Sequence, residues 1–262
     1  MLVKQQDNYS AARLSASRLI RRFAISQPEE IVVEDLAMAS GVLVVEGTLH
    51  GSEARLVRKQ DKGIIRVKSG APESGRRRFS VAHELGHWFL HGDVSQFHVC
   101  TEGDLRNYSG SNQEAEANTF ASELLMPTPL FKPVCWDIEP GIATIKKLAD
   151  KFGTSLTSTA VRFVEENKEN CIVVFSENSQ VSWWRAKEGM SDLWIESHQK
   201  IHSDSAAWEC FHDGIPATKM QQVSANSWFT NLRYGKRFEV YEQSMKLGKL
   251  PLVLSLLWVI EE

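Results

Sequence analysis

The chain is 262 residues long, 42% hydrophobic and 24% charged, with a net charge of −3 at pH 7. That length holds one large domain or two moderate ones; the charge gives no global attraction to nucleic acid, no apolar run is long enough to span a membrane, and no secretory signal opens the chain. Four cysteines (Cys100, Cys135, Cys171 and Cys210) are scattered without paired spacing, which speaks against a zinc site built from cysteines and fits reduced thiols in a cytosol.

The first periodic stretch is Ser10 to Phe23. Its arginines (Arg13, Arg18, Arg21 and Arg22) among Ser and Ala superficially suggest a transit peptide. Ala12, Ala16, Leu19, Ile20 and Phe23, however, make a helical stripe with the arginines elsewhere, so a packing helix is expected. Pro28 to Ala39 reads as a short helix ended by Gly41. Val42 to Val45, Ala54 to Val57 and Gly63 to Lys68 then read as strands, forming a small, twisted antiparallel sheet. The stretch from Gly70 to Arg78 contains Pro72, Gly75 and three consecutive arginines, and is expected as a loop with solvated charges.

His83-Glu84-Leu85-Gly86-His87 follows, an H-E-x-x-H pentapeptide. Residues four apart lie one above the other on a helix, so His83 and His87 can grip one metal ion together. Glu84 is then close enough to hold and deprotonate a water on that ion. Apolar Val81, Ala82, Leu85, Trp88 and Phe89 give this helix a buried face. Gly86 costs about 1 kcal/mol relative to Ala in a helix interior; its place between the histidines suggests that another backbone passes close by.

A catalytic zinc site needs one further protein ligand and one open position. His91 lies too far along the helix to share the ion with His83 and His87. The longer pattern with Gly and His after the second histidine fails, because the chain has Leu90 and Asp93 there. His98, Cys100 and Glu102 in the following loop remain possible ligands. Glu114 is the better candidate, at the start of a helical segment, Gln113 to Met126, that stops at Pro127. Asn118, one turn further on the same face, can orient a ligating histidine. Glu116 points away and reads as a solvated charge. The long polar loop from Gly92 to Asn112 offers His98 and Tyr108 as candidates to stabilise an oxyanion or hold substrate.

Thr144 to Glu166 contains Leu148-Ala149-x-x-Phe152-Gly153-Thr154 followed by Ala160-Val161, similar to a helix-turn-helix. Its few basic residues are a thin charge for contacting phosphates, so direct nucleic-acid binding is not expected. The polar run from Glu165 to Asn170 is the best boundary between a peptidase domain, 1–166, and a C-terminal domain, 171–262. Beyond it strands dominate: Cys171 to Phe175 and Gln180 to Arg185 form one hairpin, Phe238 to Gln243 and Leu252 to Ile260 a second. Six tryptophans lie there (Trp183, Trp184, Trp194, Trp208, Trp228 and Trp258), which reads as a β-rich core anchored by large rings rather than a ligand box.

Arg78 to His87, with Glu114-x-Glu116-Ala117-Asn118-x-Phe120-Ala121-x-x-Leu124-Leu125-Met126-Pro127, resembles the ImmA/IrrE metallo-endopeptidases. Pro28 to Val45, Ser227-Trp228-Phe229 and the final apolar strand are also similar to that family. The glutamate-then-Asn pattern is similar to the gluzincins, with Asn118 in place of their usual aspartate. The resemblance implies an α+β fold: a minimal gluzincin-like peptidase of active-site helices on the small sheet, followed by a small β-rich domain with a regulatory role. It implies one Zn2+ held by His83, His87 and Glu114, with Glu84 as general base. It also implies a cytoplasmic endopeptidase that cuts a helix-turn-helix transcriptional repressor and so releases stress or mobile-element genes. The alternative is a regulatory protein that docks a repressor or DNA without proteolysis. By the same resemblance an edge strand would hydrogen-bond an extended substrate, with Ile64 to Val67 as the candidate. The roughly 30 residues before the opening helix are too few for the extra DNA-binding domain that some members carry there.

Overall fold

The computed structural model describes residues 2–70, 74–92, 112–190, 193–232 and 237–261. They divide into two compact units, Met1–Phe131 with Ala149–Ser155, and Lys132–Leu148 with Leu156–Glu262. The division does not follow the polar run at 165–170: residues 132–148 and 156–166 group with the strands beyond that run.

In the first unit, α1 (Leu2–Arg22) buries Ala12, Ala16, Leu19 and Ile20, so these form a packing face, while Phe23 of the expected stripe lies past the helix end and is exposed. A 3-10 turn (Pro28–Glu30) and α2 (Val33–Met38) follow, where a single helix was expected. The chain reverses at Gly41, whose φ is +82°; a Cβ there would lie 2.8 Å from the Asp61 carbonyl oxygen.

Three strands come next: β1 (Val42–Gly47), β2 (Ala54–Lys59) and β3 (Lys62–Lys68), in the order β1-β3-β2. Two features correct the expectation of an antiparallel sheet with Ile64–Val67 at its edge. β1 runs parallel to β3, and β3 is the central strand. Residues 48–53 make this possible, because crossing two strand spacings takes about 10 Å and six extended residues reach about 20 Å. With both sides of β3 paired, its main chain has no free edge for a peptide; among the described residues the open edges belong to β1 and β2. Side chains alternate along β3, with Gly63, Ile65 and Val67 inward and Lys62, Ile64, Arg66 and Lys68 outward.

Helix α3 (Ser74–Leu90) packs on the inward face through Val81, Ala82, Leu85 and Trp88, in one core with Ile65 and Val67. Burying a side chain such as Leu85 stabilises the fold by about 2 kcal/mol. Gly63 leaves room for the Trp88 ring, which a Cβ there would approach to 2.9 Å. From β2, the Arg58 guanidinium lies 4.0 Å from a Trp88 ring centroid and donates to the Trp88 carbonyl at 3.0 Å. That contact caps the last turn of α3.

The helix begins earlier than expected, so the three arginines sit on its first turns. Arg77 pairs with Glu34 and, at 3.4 Å, with Glu46. Arg78 donates to the carbonyls of Ile31 (2.7 Å), Phe152 (2.7 Å) and Gly153 (2.8 Å). Both are internal ties rather than solvated charges. Beside them Thr154 and Ser155 pass so close to Gly75 that a Cβ would lie 2.6 Å from the Thr154 carbonyl carbon. These contacts hold 149–155 in the first unit.

Helix α4 (Asn112–Leu125) completes that unit, burying Ala117, Phe120, Ala121, Leu124 and Leu125. Its end is fixed by the buried Glu123, which accepts hydrogen bonds from Thr128 N (3.0 Å) and Thr128 Oγ1 (2.8 Å). Helices α5 (Thr128–Cys135), α6 (Ile142–Phe152) and α7 (Leu156–Glu166) follow.

In the second unit α7 is buried over Ser158 to Val164 and at Glu166, with Arg162 fully buried and paired with Glu166 at 3.2 Å. A helix that reads DNA needs an exposed face carrying such groups. The strands are β4 (Cys171–Glu177), β5 (Gln180–Ala186), β6 (Gln221–Val223), β7 (Phe238–Lys246) and β8 (Leu252–Glu261), with α8 (Ala206–His212) before β6. They form an antiparallel sheet in the order β5-β4-β8-β7-β6. Asn178 and Ser179, at φ 50° and 60°, make the β4–β5 turn, as tight hairpins of this hand require.

The tryptophans of this unit do not converge. Trp183 stacks on Phe175 at 5.3 Å, Trp184 meets Trp194 edge-on at 5.4 Å, and Trp258 lies 5.8 Å from Tyr241. Trp228 is in the core, where its Nε1 donates to Glu242 Oε2 at 2.8 Å. The buried Glu242 also accepts from Ala206 N (2.9 Å), Ala207 N (2.8 Å) and Ser244 Oγ (2.7 Å).

Candidate metal centre

Helices α3 and α4 approach each other closely at Gly86, where a Cβ would lie 2.9 Å from Ala117 Cα and 3.0 Å from its carbonyl oxygen. The glycine is therefore what brings the two helices within reach of one ligand set. On α3, His83, Glu84 and His87 are buried, with exposures of 0%, 0% and 2%. From α4, Glu114 reaches across so that its Oε2 is 3.1 Å from His83 Nε2 and its Oε1 is 3.4 Å from His87 Nε2. The two Nε2 atoms are 3.0 Å apart.

The outer nitrogens fix the chemistry of the inner ones. His83 Nδ1 lies 2.8 Å from Asn118 Oδ1. An amide oxygen only accepts, so His83 donates from Nδ1 and turns the lone pair of Nε2 toward Glu114. His87 Nδ1 lies 3.0 Å from His91 Nδ1, and His91 Nε2 lies 3.0 Å from Glu116 Oε2. Glu116 is thus engaged with His91 rather than a solvated charge. Its role and that of His91 are missed when the sequence is scanned for ligands alone; the available signal is the four-residue step from His87 to His91.

With His83 in that tautomer and His87 in the matching one, two imidazole lone pairs and a carboxylate converge, an arrangement that suits a cation. Ligands at typical zinc bond lengths of about 2.0–2.1 Å and tetrahedral angles lie about 3.3 Å apart. The observed separations of 3.0, 3.1 and 3.4 Å are compatible with that spacing. His83, His87 and Glu114 can therefore hold a metal ion.

Electrostatics agree. Burial pushes His87 down to about 4 against the pull of Glu114, so its ring is neutral at physiological pH. Burial would lower His83 as well, but Glu114, Glu84 and Asn118 outweigh it and raise the net value. Burial works against the charge on Glu114, yet the imidazoles of His83 and His87 beside it, whenever one of them carries a proton toward it, hold it well below the usual carboxylate range.

His98 and Tyr108, the candidates for the oxyanion or substrate, and Cys100 and Glu102 as other ligands, lie outside the described residues. Cys135, Cys171 and Cys210 are free and buried. Burial pushes their thiols up to about 12, 12 and 11, which leaves them protonated and unreactive.

The IrrE N-terminal-like domain, which defines the peptidase M78 family, matches residues 37–164, a span that contains both ligand helices. An uncharacterized immunity region protein of Bacillus phage phi105 is 30% identical over 127 residues, covering 48% of this chain and 75% of that protein. The chain belongs to the M78 peptidase family. His83, His87 and Glu114, which could hold a metal ion, accordingly lie inside the part of the chain that matches the family. A Mycobacterium tuberculosis transcriptional regulator shares the fold at a TM-score of 0.59 and 13% identity, over 95% of this chain and 76% of that one.

Proposed function

We propose that this M78 family member is a zinc-dependent endopeptidase acting on a protein, with a helix-turn-helix transcriptional repressor as substrate. The observation that carries the reading is the buried set of His83, His87 and Glu114 with Glu84 next to it on α3. A zinc ion, when bound, supplies Lewis acidity, lowering the pKa of a coordinated water to about 7 and stabilising charge on a carbonyl oxygen. Glu84 takes the proton of the attacking water and delivers it to the leaving amine. Asn118 keeps His83 in the tautomer that presents Nε2. The buried walls around Glu84 and the histidines exclude competing water and strengthen each of these interactions.

Residues 1–166 are assigned the peptidase role and 171–262 a regulatory one, with cleavage serving transcriptional or stress control in the cytoplasm. His98 and Tyr108 are retained as candidates for oxyanion or substrate contact. Among the described residues no helix is long and apolar enough to cross a membrane. The burial of α7 over Ser158 to Val164 leaves those residues unavailable for reading nucleic acid.

The test is zinc per chain by elemental analysis, for wild type and Glu114→Ala purified without chelators. Near one zinc in wild type and little in the variant is expected. Equal zinc in both would move the third ligand elsewhere. No zinc in wild type, even after adding it back, would favour a protein that docks its partner without cutting it.

A further inference from the structure

His91 and Glu116 form a chain of contacts that ends on the outer nitrogen of a ligand, and hydrogen bonding dictates where every proton in it sits. For His87 to present a lone pair from Nε2, its proton must be on Nδ1. That N–H points at His91 Nδ1, 3.0 Å away, which must then accept. His91 consequently carries its own proton on Nε2, and the group 3.0 Å from that atom is the Glu116 carboxylate, an acceptor. Each of the two links then has one donor and one acceptor. Any other tautomer of His91 would set two N–H groups against each other at His87.

The relay is also held in place. His91 and Glu116 side chains are only 6% and 16% exposed. His91 lies one residue past the end of α3, its N–H still donating to the His87 carbonyl at 3.0 Å, and Glu116 follows Glu114 by two residues on α4. His83 and His87 thus differ in support: one leans on a neutral amide, the other on an imidazole backed by a carboxylate.

We propose that His91 and Glu116 are positioning residues, which fix the tautomer and ring orientation of His87 and raise its basicity toward the metal. The proposal rests on the reading of His83, His87 and Glu114 as a metal centre. Outer partners of this kind typically contribute 10–100-fold in metal affinity.

The experiment is zinc affinity of the full chain, measured by competition with a chromogenic chelator, together with 15N shifts of the histidine rings. His91→Phe keeps the bulk of the ring but cannot accept, and should weaken zinc binding about 10–100-fold. His91→Gln restores an acceptor and should recover most of that loss. Glu116→Leu should weaken binding less than His91→Phe and shift the His91 ring away from the Nε2–H tautomer, with the melting temperature of the metal-free protein unchanged. Wild-type affinity in both His91→Phe and Glu116→Leu, or equal loss in the Phe and Gln variants, would overturn the proposal. So would a wild-type His91 carrying its proton on Nδ1 in the zinc-loaded protein. A variant that fails to fold leaves the wild-type tautomer measurement to decide. Zinc absent from wild type would instead sink the metal-centre reading itself, and the two failures are thereby separate.

Discussion

Two buried glutamates, one in each unit, have opposite surroundings. Glu242 is met by donors only: two backbone N–H groups at the start of α8, the indole of Trp228 and the hydroxyl of Ser244. Its lone pairs are satisfied by the fold. Glu114 is met by the Nε2 atoms of two histidines whose protons lie on the far side of the ring. In that tautomer both nitrogens are acceptors toward it, and these two contacts are favourable only if a cation or proton comes in. A buried carboxylate surrounded by donors is part of the architecture, whereas one surrounded by acceptors is a binding site. Burial alone does not distinguish the two.

The sharpest way to separate ligand from base in the first centre is Glu84→Gln. Zinc content should stay at the wild-type level while cleavage falls at least about 10²–10⁴-fold, the usual contribution of a general base. A variant that cuts at the wild-type rate would remove Glu84 from the chemistry.

Exchanging the two glutamates' fates by mutation tests the contrast directly. Glu242→Gln puts an amide N–H₂ against groups that are already donors, and should cost about 2–4 kcal/mol in urea unfolding without changing zinc content. Glu114→Ala should do the reverse, abolishing zinc binding while changing the stability of the metal-free protein by no more than about 1 kcal/mol. Similar destabilisation by both would erase the distinction.

A smaller effect is expected at Gly86, where alanine gains about 1 kcal/mol of helix propensity but must push Ala117 away. Overpacking of this kind costs about 1–3 kcal/mol, and separation of α3 from α4 should weaken zinc binding as well. A more stable variant with intact affinity would show that the helices need not touch there.

The smallest effect concerns pH. Burial raises the Glu242 carboxyl above its ordinary 4.5, against the hydrogen bonds from Trp228, Ser244, Ala206 and Ala207. Above the ordinary value the native state then binds more protons than the unfolded chain, so unfolding free energy falls as pH rises. The protonated group's contribution is complete below about pH 4.5 and is lost as pH climbs through the raised folded value. Unfolding of the metal-free protein across pH 4 to 8 should show this slope, and Glu242→Gln should flatten it.

These residues also show what a sequence can and cannot reveal. His83, Glu84 and His87 are legible because helical periodicity alone fixes their relative placement. Asn118 is legible for the same reason once Glu114 is suspected, being one turn away. Glu114 itself depends on how two helices dock, and Gly86 is the only local hint of that docking. Strand order is less accessible: nothing in Ile64 to Val67 distinguishes a central strand from an edge, because the pairing of β1 with β3 is decided by the path of residues 48–53. The charges of Arg77 and Arg78 read as solvated because their partners, Glu34, Glu46 and three carbonyls, come from distant parts of the chain. His91 and Glu116 go unread for a related reason, since each is unremarkable until the other is placed beside it.

The tie from Arg78 to the carbonyls of Phe152 and Gly153 sets how far the polypeptide can be trimmed. A truncation just after the second ligand helix would keep every metal-binding side chain and still strand the Arg78 guanidinium beside α3 without those acceptors. The shortest fragment with a sound centre should therefore extend through Ser155, well beyond Glu114, the last of the three candidate ligands.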